Sequence, residues 1–277
     1  MKEIKLLLII SILFSPLLVA AQQDSIANLS VYKVNHKIEF PLAVLGHGLA
    51  FYGYDQLAGV ASLSETQVLS LSPQDVNLFD RPALNFSQNG YERAHKASDL
   101  AMNLTVASSV LLFLDKEIRK DWKDIITLYL QAHLAGSVTY QAAAFPVRRP
   151  RPLAYNTNLS LAERSGSNTS NSFFSGHTST TAIASFFMAK VYNDYHQLSP
   201  RQKILTYGVA SLPPIFVGYY RIKAGKHFTS DVITGFAVGA LTGILVPELH
   251  KRNKTRLSFL PIYESGIKGI ALTYSFK

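Results

Sequence analysis

The chain has 277 residues, 48% of them hydrophobic and 16% charged, and no cysteine. That length supports one sizeable domain, and the missing cysteine excludes disulfides, thiolate nucleophiles and cysteine-held zinc. The formal net charge is +9, with the bases clustered in short loops rather than along an aromatic-studded stripe. That pattern argues against a nucleic-acid partner and for an anionic ligand or an anionic membrane surface.

Residues 1–21 read as a secretory signal peptide. Lys2 and Lys5 form the positive start, Leu6 to Phe14 the apolar stretch, and Val19-Ala20-Ala21 a small-residue cleavage site. An uncleaved anchor is the alternative, and either one exports the protein. Residues 22–97 form an N-terminal helical and loop region. In it, Pro41 to Gly59 is apolar but broken by Gly46, Gly48, Gly53 and Asp55, and Ser70 to Gly90 reads as loop.

Residues 98–250 carry a run of helical segments: Leu100 to Leu114, Ile125 to Val147, Thr178 to Ala189, Ile204 to Tyr219 with a kink at Pro213-Pro214, and Val232 to Val246. In the last of these, Gly235, Gly239 and Gly243 recur every fourth residue, giving one smooth face for close helix packing. Residues 251–277 form a basic run and a tail that alternates around Gly266 and Gly269, suited to a small β-hairpin. The expected fold class is therefore all-α: a bundle of five to six core helices that spans a membrane, with a small β-like tail. A soluble exported bundle is the alternative. In the membrane-spanning form the bases of 115–124, 190–203 and the run after His250 share the cytoplasmic side. The loops 148–172 and 220–230 share the other.

Three clusters fall on that second side. Arg148-Arg149-Pro150-Arg151-Pro152 puts guanidinium groups in a proline-stiffened turn suited to gripping an anion. Ser175-Gly176-His177 opens a helix, where backbone amides point at anions and a histidine can move a proton. In the third, Arg221 precedes His227 and Asp231. These last two are four apart, and the spacing predicts a carboxylate that orients the imidazole, with Ser230 or Thr229 capping the following helix. The other histidines, His36, His47, His95, His133, His196 and His250, have no comparable partner in the sequence and read as packing, surface or interfacial residues.

Arg151-Pro152, Ser175-Gly176-His177, and Arg221 followed by His227 and Asp231 resemble, in order and third-motif spacing, the signature of the type-2 phosphatidic acid phosphatase superfamily. The resemblance covers about residues 99–250. It implies a metal-independent phosphatase without a cofactor. His227 would be the nucleophile that forms a phosphohistidine, His177 the acid and base, Asp231 the orienting carboxylate, and Arg151, Arg221, Ser175 and Gly176 the phosphate ligands. The chain departs from that signature at Phe174, at Tyr220 and at Ala144, where the family carries a lysine; Arg149 or Arg148 is expected to supply the missing charge.

The resemblance also implies a lipid phosphate or diphosphate as substrate, such as undecaprenyl diphosphate, lipid A, phosphatidylglycerol phosphate or phosphatidic acid. It places the protein in a bacterial inner membrane with a periplasm-facing site and no obligate protein partner. A soluble periplasmic acid phosphatase, a vanadium haloperoxidase or an inactive binding protein are the rival readings.

Overall fold

The computed structural model describes residues 30–252, and beyond them the paths of two strands, Leu257–Glu264 and Ile267–Tyr274. The expected signal peptide lies outside the described residues. Among the described residues, seven helices of ten or more residues make the bundle: α1 His36–Val60, α2 Tyr91–Ser108, α3 Trp122–Ala144, α4 Gly176–His196, α5 Pro200–Ala210, α6 Leu212–Lys223 and α7 Thr229–Leu249. The apolar stretch from Pro41 is thus the body of a 25-residue helix, and two of its glycines serve packing: Gly46 meets Leu134 and Gly53 meets Gln141, both on α3. The expected kinked helix from Ile204 is instead two helices broken at Ser211. Pro213 and Pro214 fall in the first turn of α6, where the backbone N–H groups have no intrahelical acceptor to lose.

Helix α4 is the axis of the bundle, touched by α2, α3, α5, α6 and α7. It is rich in small residues, and Thr178, Ser179, Thr181, Ala182, Ile183, Ala184 and Ser185 are all buried. Its most extensive neighbour is α7. The glycines spaced by four on α7 lie directly on α4 backbone: Gly235 on the Ser175 carbonyl, Gly239 on that of Ser179, Gly243 on that of Ile183. A methyl group at Gly243 would sit 2.7 Å from that oxygen, and at the other two closer still.

Chain reversals collect at two ends. One end gathers the three sequence clusters. The Ser172 amide donates to the Arg149 carbonyl (3.1 Å), Leu153 to Gly225 (2.9 Å), and Ser175 to Asp231 (2.9 Å). The opposite end is tied by polar pairs. His196 meets Asp115 (2.8 Å), His36 meets Asp124 (2.5 Å), His250 meets Glu39 (3.2 Å), and Lys190 bridges Asp194 and Glu248. The tail is an antiparallel hairpin that pairs Leu257 with Tyr274 and Glu264 with Ile267. Large apolar side chains face outward along the bundle's flank, among them Leu45 and Phe51 on α1, Leu100 and Leu104 on α2, Ile204 on α5, Ile215 on α6 and Leu241 on α7. Two described segments, Gln88–Leu114 and Thr229–Leu249, are long and apolar enough to cross a membrane.

The helix seam gives a stability prediction. Gly239→Ala should destabilise by about 1–3 kcal/mol, because α4 must move away to admit the methyl. Gly48→Ala, where nothing lies within 4 Å, should stabilise by roughly 0.5–1 kcal/mol through helix propensity alone. Thermal unfolding in detergent tests both, and equal melting temperatures for the two variants would refute the seam's role.

Candidate active site

The site forms where α4, α6 and α7 end or begin. Gly225, at φ 67°, takes the left-handed turn that leads the chain out of α6, under the ring of Tyr91 and against Leu153. The turn delivers His227 into the interior, only 2% exposed. The imidazole Nδ1 lies 2.7 Å from the Ser172 carbonyl oxygen. A carbonyl only accepts, so Nδ1 carries the proton and Nε2 keeps its lone pair. Burial, then the nearby Arg221 and Arg151, push the His227 pKa well down, against a smaller upward pull from the Ser172 bond. The ring is neutral at pH 7.

The expectation that Asp231 touches this imidazole is corrected. Asp231 is fully buried in the first turn of α7 and reaches back rather than across. Its carboxylate accepts from the Phe228 amide (2.8 Å), the Ser172 hydroxyl (2.5 Å) and Arg149 (2.5 Å). Asp231 therefore steadies Ser172, and the carbonyl of Ser172 orients the histidine. It also does the capping expected of Ser230 or Thr229: the N-cap residue is Phe228, and its amide goes to Asp231.

Arg149 is corrected in the same way. Its guanidinium bonds Asp80 (2.7 Å), Asp231 (2.5 Å) and the Ser230 hydroxyl (2.9 Å), and lies 4.2 Å over the Phe228 ring. With those donors committed to carboxylates behind the histidine, it does not stand in for a phosphate ligand. Arg148 is exposed, and its Nε donates to the carbonyl of Phe145 (2.6 Å). Asp80, from the loop that carried no readable signal, completes this support by accepting the amide and hydroxyl of Ser230 (2.8 and 2.7 Å). Burial raises its pKa, but Ser230 and Arg149 outweigh that and hold it at about 2.

In front of His227 stand the remaining predicted residues. Arg151 makes no hydrogen bond or ion pair through its side chain to any described residue, and its Nε is buried without an acceptor. The Nε of Arg221 is likewise unpaired; its Nη1 donates to His95 Nδ1 at 2.9 Å and lies 3.5 Å from Asp99. His177, in the first turn of α4, sets Nε2 3.0 Å from Asp99 Oδ1. Arg221, Arg151 and His95 all lie within electrostatic reach of it. Ser175 is the N-cap of α4, its hydroxyl 2.8 Å from that of Thr178. Gly176 follows with an N–H that has no intrahelical acceptor, and it rests on the Tyr140 ring. Tyr220 packs on Phe216 and Tyr219.

Sequence reasoning missed Asp99 and His95, which α2 brings in from about 120 residues before Arg221. Their spacing of four on one helix face was legible, but nothing local said which neighbour that face would meet. Among the described residues, no group of three or more His, Asp or Glu side chains is placed to hold a metal ion.

Residues 125–255 match the family model of the PAP2 superfamily. Lipid A 1-phosphatase of Porphyromonas gingivalis is 42% identical over 76 residues, which is 27% of this chain and 15% of that protein. Lipid A 4'-phosphatase of the same organism is 30% identical over 84 residues, 30% of this chain and 32% of that protein. The chain thus spans less than a third of either relative's length. In shape it is similar to the transmembrane PAP2 type phosphatidylglycerolphosphate phosphatase from Bacillus subtilis, with a TM-score of 0.46 and 20% identity over 76% of this chain and 98% of that one. The stretch that matches the PAP2 superfamily model holds His177, His227, Arg151, Arg221 and the glycine seam.

Proposed function

We propose that this chain hydrolyses a lipid phosphate or diphosphate without a metal, through a phosphohistidine on His227. One observation carries the reading: a neutral imidazole with Nδ1–H committed to a carbonyl faces two arginines whose Nε donors have no acceptor. The Nε2 lone pair of His227 forms the N–P bond as the P–O bond to the leaving group breaks. His177 gives its proton to the departing oxygen, and Asp99 holds that proton in place beforehand. Water then attacks phosphorus, His177 takes its proton, and the N–P bond breaks to release inorganic phosphate. Arg151, Arg221 and the first-turn amides of α4 balance the charge on the equatorial oxygens, which is where the transition state needs donors.

A lipid substrate is supported by the apolar side chains around the site, with Leu100, Leu104, Phe216 and Tyr219 exposed on α2 and α6, and by the substrates named for the two Porphyromonas gingivalis relatives. The bases of 115–124, 190–203 and 250–252 lie at the opposite end, and by the positive-inside rule this supports a site on the periplasmic face of an inner membrane.

Phosphate release from lipid phosphates and from p-nitrophenyl phosphate by protein in detergent tests the reading. His227→Ala should lower kcat by several orders of magnitude, and Asp231→Asn by less, since it acts through Ser172. Activity should survive EDTA. Near-normal turnover by His227→Ala would overturn the nucleophile, and preference for the soluble ester would replace the lipid substrate with a general one.

Asp99→Asn should lower kcat with little change in KM, because the proton on His177 loses its carboxylate partner. A lowered KM with unchanged kcat would mean instead that Asp99 merely competes with substrate for Arg221. The acid limb of kcat/KM should fall below the ordinary histidine value of about 6.5, because His227 must be neutral to attack and its pKa is depressed.

A further inference from the structure

The residue just before His227 is a lysine with no side-chain partner among the described residues. The backbone of Lys226 is held in the turn: its amide donates to the Arg221 carbonyl at 3.1 Å. Its side chain is partly buried, yet the ammonium makes no hydrogen bond or ion pair to any described residue. Lys190, the buried lysine at the other end of the bundle, is held by Asp194 and Glu248. The groups that face Lys226 come from every element around the site. Arg151 on the preceding loop and Arg221 on α6 repel it, and Asp99 on α2 attracts it. The imidazoles of His95 on α2 and His177 on α4 also lie within its field. Three cations thus converge beside the nucleophile against one carboxylate, a self-repelling set that a polyvalent anion relieves.

We propose that Lys226 is a ligand of the transferred phosphoryl group, the third cation of the site beside Arg151 and Arg221. The proposal rests on the phosphatase reading for the identity of its ligand. It also supplies from the third cluster the charge expected of Arg149 and absent at Ala144, a buried position among Leu57, Ala61, Tyr140 and Phe174. Lys226 differs from the arginines in one respect that can be measured. Burial, then Arg151 and Arg221, bring its pKa down to about 8, against the pull of Asp99. The ammonium is present at pH 7 and largely gone at pH 9, whereas guanidinium groups keep their charge across that range.

Tungstate is a suitable probe, being a tetrahedral dianion that does not titrate between those values. Its binding to the full chain in detergent is read by titration calorimetry at pH 7 and pH 9. Wild-type affinity should fall about tenfold, following the protonated fraction of a group with a pKa of about 8. Lys226→Ala should bind about tenfold more weakly at pH 7 and lose most of the pH dependence. Lys226→Arg should restore the pH 7 affinity and hold it at pH 9. Wild-type affinity unchanged between pH 7 and pH 9, or wild-type behaviour from folded Lys226→Ala, would overturn the proposal. Failure of the phosphatase reading looks different: tungstate binding that depends on Lys226, with no phosphate released from any lipid phosphate.

Discussion

The site depends on how closely α4 and α7 approach. Helices in contact through ordinary side chains stand 8–10 Å apart, which would separate the cluster that opens α4 from the one that opens α7. Here Gly235, Gly239 and Gly243 remove every intervening side chain from one face, and the α4 backbone lies directly against them. The first contact of that seam, Gly235 against the Ser175 carbonyl, is also the edge of the site. One turn away the Ser175 amide donates to the Asp231 carbonyl at 2.9 Å. Packing that serves stability also sets the distance between His177 and His227.

Behind the histidine, charge is paired as thoroughly as it is left unpaired in front. Asp80, Arg149 and Asp231 form a chain of carboxylate, guanidinium and carboxylate, closed by Ser172, Ser230 and the Phe228 amide. Buried charges are tolerable only when so satisfied, and the result is a rigid wall. Arg151, Arg221 and Lys226 stand on the other side of that wall with donors unmet. The arrangement lets one small region hold these six charged groups while presenting a net positive field on the side opposite the wall.

The far end of the bundle has the same logic without an opening. Tyr32, Lys190 and Lys251 converge on Asp194, and His250 and Gln131 on Glu39. These contacts tie the segment before α1 and the end of α7 to the central helix. The two ends of α4 therefore differ in kind: one closed by mutual neutralisation, the other left with unsatisfied donors for a ligand.

The sequence by itself determined the helical class, the order of the three clusters, their gathering at one end and the glycine seam. Each of these is written in local spacing: glycines by four, a serine and glycine at a helix start, an arginine and histidine flanking a turn. What tertiary structure decided was which group touches which. His227 and Asp231, four apart, suggested a direct pair, but His227 precedes the first turn of α7, so the helical face argument did not reach it and a backbone carbonyl took the role. Arg149 and Arg151 look alike in sequence, yet one turns back to Asp80 and Asp231 while the other makes no side-chain hydrogen bond to any described residue. Asp80, His95 and Asp99 come from a stretch with no motif, because partnership across 69 to 150 residues is fixed by tertiary packing and leaves no mark in local order.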